Sequence, residues 1–158
     1  MSFSDKSPNL TSPPGRVMAL DVGDARIGVA LSDTLQITAQ PLTTVERTKR
    51  GIKELLTLIE TQKPVSIVIG LPKMLSGEVG EQGLKTSQFG DELQRKLTAR
   101  NIDSRLIFWD ERLTTVNAER LIQGTKLRNK NRRALLDQVS AMLILEAFLA
   151  AQSTEIAE

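Results

Sequence analysis

Two apolar runs separated by four residues constrain this chain more than any other feature. Val17–Asp21 and Arg26–Leu31 are each the length of a strand, and Val22-Gly23-Asp24 between them reads as a turn. So short a connection joins antiparallel strands, because a parallel pair needs a crossover of about a dozen residues or more. Ser32-Asp33 marks another turn, and Leu35–Ala39 predicts a third strand. The chain therefore opens as an antiparallel meander.

The periodicity then changes. Ile52, Leu55, Leu56 and Ile59 form the stripe of an amphipathic helix that ends before Pro64. Ser66–Ile69 is a β-branched strand of the buried parallel type, followed by a Gly-containing loop over 70–83. Phe89, Leu93 and Leu97 mark a second helix, and Ser104–Trp109 a strand that ends at Asp110-Glu111. Thr114 or Thr115 is placed to cap a helix running to about Gln123. A polar basic loop over 124–133 leads to a long apolar helix, Ala134–Ala151.

The order βββ-α-β-α-β-α-α predicts an α/β domain. Its five-stranded mixed sheet combines the three-stranded antiparallel meander with two parallel strands, flanked by helices on both faces. Right-handed crossovers put the first strand in the middle. This plan is ribonuclease-H-like, and actin-like ATPase cores share it, so the fold alone does not name the chemistry. Residues 1–15, polar and rich in Ser and Pro, are expected to be a disordered leader. Residues 16–151 form the single domain, and residues 152–158 a flexible tail. No uninterrupted apolar run approaches the ~20 residues of a bilayer span, so a cytoplasmic protein with no membrane association is expected.

Composition narrows the chemistry. The chain has neither histidine nor cysteine. That excludes Ser-His-Asp and Cys-His catalysis, disulfides, and imidazole or thiolate metal sites. Acid–base or metal chemistry falls to carboxylates, and all-oxygen ligand sets favour Mg²⁺ or Mn²⁺.

Ligands of parallel sheets gather beyond the carboxyl ends of the strands. Asp21 ends the first strand, and Asp110 and Glu111 end the last. Asp137 shares a helical face with Ser140, Ala141, Ile144 and Phe148, an otherwise small or apolar surface on which a charge is costly unless paired or metal-bound. Three clustered carboxylates repel one another, and one or two divalent cations relieve that repulsion. Each residue also has an ordinary reading. Asp21 suits a turn, Glu111 a surface pair with Arg112 or Arg105, and Asp137 the positive end of its helix.

Lys126, Arg128, Lys130, Arg132 and Arg133 crowd the stretch before Asp137. They read either as a solvated charged loop or, beside a carboxylate site, as contacts to phosphates. Arg26 and Arg112 are candidates for phosphate contact or carboxylate orientation, against ion pairs with Asp24, Asp33 or Asp110. With 3% aromatic residues and no tyrosine, backbone and shape recognition is expected rather than base stacking. Trp109 and Phe148 read as core.

Four stretches carry a resemblance. They are Asp21-Val22-Gly23-Asp24-Ala25-Arg26-Ile27-Gly28-Val29-Ala30-Leu31-Ser32-Asp33, Val68-Ile69-Gly70-Leu71-Pro72 with Gly77, Asp110-Glu111-Arg112-Leu113-Thr114-Thr115 with Ala118, and Asp137-Gln138-Val139-Ser140-Ala141 with Leu143-Ile144-Leu145-Glu146. Together, over about Arg16 to Ala150, the chain resembles the YqgF/RuvX family of Holliday-junction resolvases, also described as pre-16S ribosomal RNA nucleases. The resemblance implies metal-binding catalytic carboxylates at Asp21, Glu111 and Asp137, with Asp110 as a neighbouring candidate. It also implies Mg²⁺ or Mn²⁺ as cofactor and nucleic acid, precursor rRNA or branched DNA, as partner. A junction-cutting member would act as a homodimer. The chain departs from the family in one loop, where Met74 and Ser76 stand in place of the usual Asn and Asp. Two other readings compete: an actin-like ATPase relative, which needs a second domain and a second phosphate loop that 158 residues do not supply, and a non-catalytic RNA- or ribosome-associated module.

Overall fold

The structure is a computed structural model in which residues 14–72, 76–111, 123 and 129–157 are described. Eight elements follow in order: β1 (Val17–Val22), β2 (Arg26–Ser32), β3 (Ala39–Glu46), α1 (Lys49–Gln62), β4 (Ser66–Pro72), α2 (Glu81–Ala99), β5 (Arg105–Glu111) and α3 (Asn129–Ala157). The strands form one sheet in the order β3-β2-β1-β4-β5. β1 pairs antiparallel with β2, and β2 with β3. β1 with β4 and β4 with β5 are parallel. The mixed sheet with β1 at its centre matches the expected plan.

The third strand departs from expectation. Leu35–Ile37 is a turn, and β3 begins at Ala39. The Asp33 carboxylate accepts from the backbone N–H groups of Ile37 and Thr38, at 2.7 and 2.9 Å, and Gln36 adopts φ 60°. An Asp that captures its own downstream backbone in this way builds a turn in preference to a ladder. Leu35 and Ile37 are left exposed. Pro41 is tolerated because β3 is an edge strand, and the β2–β3 register shifts between Val29 and Ala30.

Two further boundaries differ. α3 starts at Asn129, so Lys130, Arg132 and Arg133 lie on its first turns and not in a loop. Lys and Arg are good helix formers, and a charged run does not by itself stop a helix. The helix also continues past Ala151 to Ala157. The expected helix from Thr114 or Thr115 to Gln123 lies outside the described residues.

Strand alternation splits the core into two layers. Met18, Leu20, Val22, Ile27, Val29 and Leu31 pack with Leu55, Leu56 and Ile59 of α1 and Phe89, Leu93 and Leu97 of α2. Val17, Ala19, Ala30, Ala39, Val68 and Ile107 pack with Ala141, Ile144, Leu145 and Phe148 of α3. Each fully buried large aliphatic side chain contributes roughly 1.5–3 kcal/mol. Residues 131–153 of α3 have a mean hydropathy of 1.7, long and apolar enough for a bilayer span. One face of that stretch packs on the sheet through Ala141, Ile144, Leu145 and Phe148.

Candidate active site

Asp21 is the last charged residue of β1, and its place in the alternation with Val17 and Ala19 assigns it to the α3 side of the sheet. Its cross-strand partner is Gly28, and Gly28 in turn pairs with Thr44 on β3. This row of Asp, Gly and Thr seats the helix. A Cβ on Gly28 would fall on the backbone carbonyl of Asp137, so only glycine lets α3 approach this closely. Thr44 Oγ1 donates to the carbonyl of Ala134 at 2.7 Å, one turn earlier on the same helix. The result brings two carboxylates, 116 residues apart in sequence, to one corner of the sheet.

Their electrostatics are unequal. Arg26 Nε donates to Asp137 Oδ2 at 2.7 Å, with both side chains partly buried. Among the described residues no cation pairs with Asp21. Burial, and then the neighbouring Asp137 charge, push its carboxyl from 3.8 up to about 6. The site thus holds a carboxylate with a deficit of positive charge beside one already partnered.

Glu111 is the final residue of β5, paired in register with Pro72 of β4. It stands at the same carboxyl edge of the sheet as Asp21, two strands across; its side chain lies outside the described residues. Asp110 is exposed and alternates onto the α2 side with Phe108 and Leu106, away from the Asp21–Asp137 corner. Among the described residues no three acidic groups form a metal-sized cluster.

Of the basic candidates, Arg26 is found on Asp137, which is the carboxylate-orienting reading and not the pair with Asp24, Asp33 or Asp110. Asp24 instead faces Lys85 of α2 at 3.9 Å. Arg132 is half-buried and Arg133 exposed, both on α3 about one turn before Asp137. Lys130 is helical, with its side chain outside the described residues. Arg112, Lys126 and Arg128 also lie outside the described residues, as do Lys73, Met74 and Leu75 of the atypical loop. Gly77, at φ 89°, holds a conformation that other residues rarely adopt.

Two contributors carried no sequence signal. Thr44 looks like any strand threonine. Arg47 donates from Nη1 to the Gly23 carbonyl at 3.0 Å and from its backbone to Ala25 at 2.9 Å, bracing the turn that follows Asp21. Trp109 and Phe148 are core, as expected, and meet edge to face at 5.6 Å.

The fold is ribonuclease-H-like. The chain superposes on Thermus thermophilus RuvC in complex with a Holliday junction substrate with a TM-score of 0.51 and 15% identity, covering 89% of this chain and 97% of that one. It superposes on the yeast mitochondrial Holliday junction resolvase with a TM-score of 0.51 and 12% identity, covering 90% and 80%. At these identities the likeness is one of fold.

Sequence is more specific. Residues 15–151 match the model of the RuvX family, described as Holliday junction resolvase, and the chain belongs to that family. A protein of Roseiflexus sp. (strain RS-1) named "Putative pre-16S rRNA nuclease" is 48% identical over 145 residues, 90% of this chain and 99% of that one. One of the same name from Clostridioides difficile (strain 630) is 41% identical over 137 residues, covering 85% and 94%.

Proposed function

We propose that this protein is a cytoplasmic, divalent-metal-dependent nuclease that hydrolyses phosphodiester bonds of structured nucleic acid, with the 5′ end of precursor 16S rRNA as its substrate. The observation that carries the reading is the Asp21–Asp137 pair. Two hard-oxygen donors from distant segments are pressed together, and Asp21 is without a compensating cation among the described residues. The donor set fits Mg²⁺ or Mn²⁺, and a bound cation would offset the repulsion that now raises the Asp21 carboxyl. The names borne by the relatives support the substrate, and family membership supports nuclease chemistry.

Asp21 and Asp137 would hold the metal, with Glu111 as third ligand from the same sheet edge. When bound, the ion supplies activation of water and stabilisation of the leaving oxygen. Arg26 holds one oxygen of Asp137 and so would restrain its carboxylate, leaving the other oxygen for a cation. Burial of Asp21 at the end of a central strand keeps its position rigid. Arg133, exposed on the same helix about one turn before Asp137, would hold a phosphate flanking the scissile bond, with Arg132 beside it in sequence. Junction DNA is the alternative substrate, favoured by the description of the family, and it would require two copies of the chain on one junction.

The test is a Mn²⁺-dependent cleavage assay on precursor 16S rRNA and on four-way junction DNA, with Asp21→Asn as control. Cleavage of the RNA by wild type and not by the variant is expected. Equal cleavage by both proteins would overturn the reading.

A further inference from the structure

Asp21 and Arg26 stand on either side of one turn. Asp21 comes two residues before Gly23, and Arg26, which opens β2, holds the Asp137 carboxylate at 2.7 Å. Both halves of the acidic pair therefore depend on the shape of the turn, one through the backbone and the other through the Arg26 side chain. The turn is tight. Gly23 N–H donates to the Arg26 carbonyl at 2.9 Å, and a Cβ on Gly23 would meet that same oxygen at 2.9 Å, closer than side chains allow.

We propose that Arg47 is a positioning residue for the carboxylate pair and acts on it through this turn. The inference rests on the nuclease reading and deepens it. Arg47 directly follows β3 and grips the turn at two points. Its backbone N–H donates to the Ala25 carbonyl at 2.9 Å, and its Nη1 donates to the Gly23 carbonyl at 3.0 Å. The backbone bond extends the β2–β3 pairing, and nearly any residue at this position would make it. The side-chain bond is particular to Arg47, and it fixes the limb of the turn that leaves Asp21.

The grip is anchored in the core. The Arg47 guanidinium carbon lies 5.3 Å from the centre of the Phe89 ring, on α2, and that ring is buried with Leu93 and Leu97. A planar guanidinium can rest on a ring face while donating in its own plane, which a lysine ammonium cannot do. Among the described residues no carboxylate forms an ion pair with Arg47, so its charge is not spent on a partner of that kind. A second tie joins α2 to the turn, from Lys85 Nζ to Asp24 Oδ1 at 3.9 Å, but its side chains are 48% and 70% exposed. So open a pair contributes little. Arg47 is the contact that carries the rigidity of the buried layer into the backbone beside Asp21.

The experiment measures Mn²⁺ affinity by calorimetry and, on the nucleic acid that wild type cleaves, kcat and KM. Arg47→Ala removes a positive charge from beside the turn. On charge alone the cation would then bind more tightly, whereas lost positioning makes it bind more weakly, so the sign of the change separates the two. Mn²⁺ affinity is expected to fall about tenfold, as for other residues that orient metal ligands. The kcat should fall with it, at unchanged KM for nucleic acid. Arg47→Lys keeps the charge without the planar fork and should also bind Mn²⁺ more weakly than wild type; it carries the same test should the alanine variant fail to fold. Lys85→Ala, which removes a cation facing the same turn, should not weaken Mn²⁺ binding. An unchanged or raised Mn²⁺ affinity in the Arg47 variants, while Asp21→Asn loses it, would overturn the positioning role and leave the nuclease reading standing. So would a raised KM at wild-type Mn²⁺ affinity, which marks a direct phosphate contact. Wild type that binds no Mn²⁺ would remove both.

Discussion

The two faces of the sheet are built from different materials. On the α1–α2 side β1 and β2 present Met18, Leu20, Ile27, Val29 and Leu31. On the α3 side the same strands present Ala19, Asp21, Gly28 and Ala30. Large side chains hold α1 and α2 at ordinary distance and supply most of the apolar burial. Small ones let α3 drop onto the strands until the Asp137 backbone rests on Gly28. The face that gives up hydrophobic volume is the one that gains a precisely positioned charge. Stability and chemistry are thus divided between opposite sides of one sheet.

Substitutions on each side should separate the two roles. Asp21→Asn is expected to have the largest effect. Cleavage should fall about a thousandfold, equivalent to about 4 kcal/mol of transition-state stabilisation, with the fold intact by circular dichroism. Leu55→Ala, on the opposite face, should cost about 2–5 kcal/mol in chemical denaturation while leaving turnover of the folded fraction unchanged. A comparable loss of turnover would break the division.

The third effect is a pH dependence. Asp21 titrates at about 6 in the folded chain against 3.8 for the free group. The folded state therefore binds the proton more tightly, and stability from this group falls as pH rises from about 4 to about 6. In chelator at pH 7.5, Asp21→Asn should be more stable than wild type by about 3 kcal/mol, the gap closing near pH 4. Millimolar Mg²⁺ should narrow it by stabilising wild type alone. Gly28→Ala should cost about 1–3 kcal/mol, since backbone and not a flexible side chain must yield, and cleavage should fall with it. The smallest effect is expected for Arg26→Gln: about tenfold in turnover, with weaker Mn²⁺ binding by calorimetry as the Asp137 carboxylate is released.

The architecture was legible where pattern is local. The close spacing of Val17–Asp21 and Arg26–Leu31, and the stripe from Ile52 to Ile59, each point to a single geometry. The third strand was not, because Leu35, Ile37 and Ala39 alternate like a strand while the true β3 is polar and includes Pro41. What decides between them is the Asp33 carboxylate bonding forward to Ile37 and Thr38, a contact invisible in a hydrophobic pattern. At the site, Asp21 and Asp137 stood out as charges in apolar surroundings. The partner of Arg26 did not. Sequence neighbours suggested Asp24 or Asp33, and the structure supplies Asp137, 111 residues away. Such a pairing follows only from the helix seated by Gly28 and Thr44.

The edge-to-face contact of Trp109 with Phe148 gives the molecule a built-in optical gauge. The chain has one tryptophan and no tyrosine, so its ultraviolet emission comes from a single indole, wedged between β5 and α3 two residues before Glu111. Any shift of the last helix relative to the sheet changes what that ring touches, and the colour of its fluorescence changes with it.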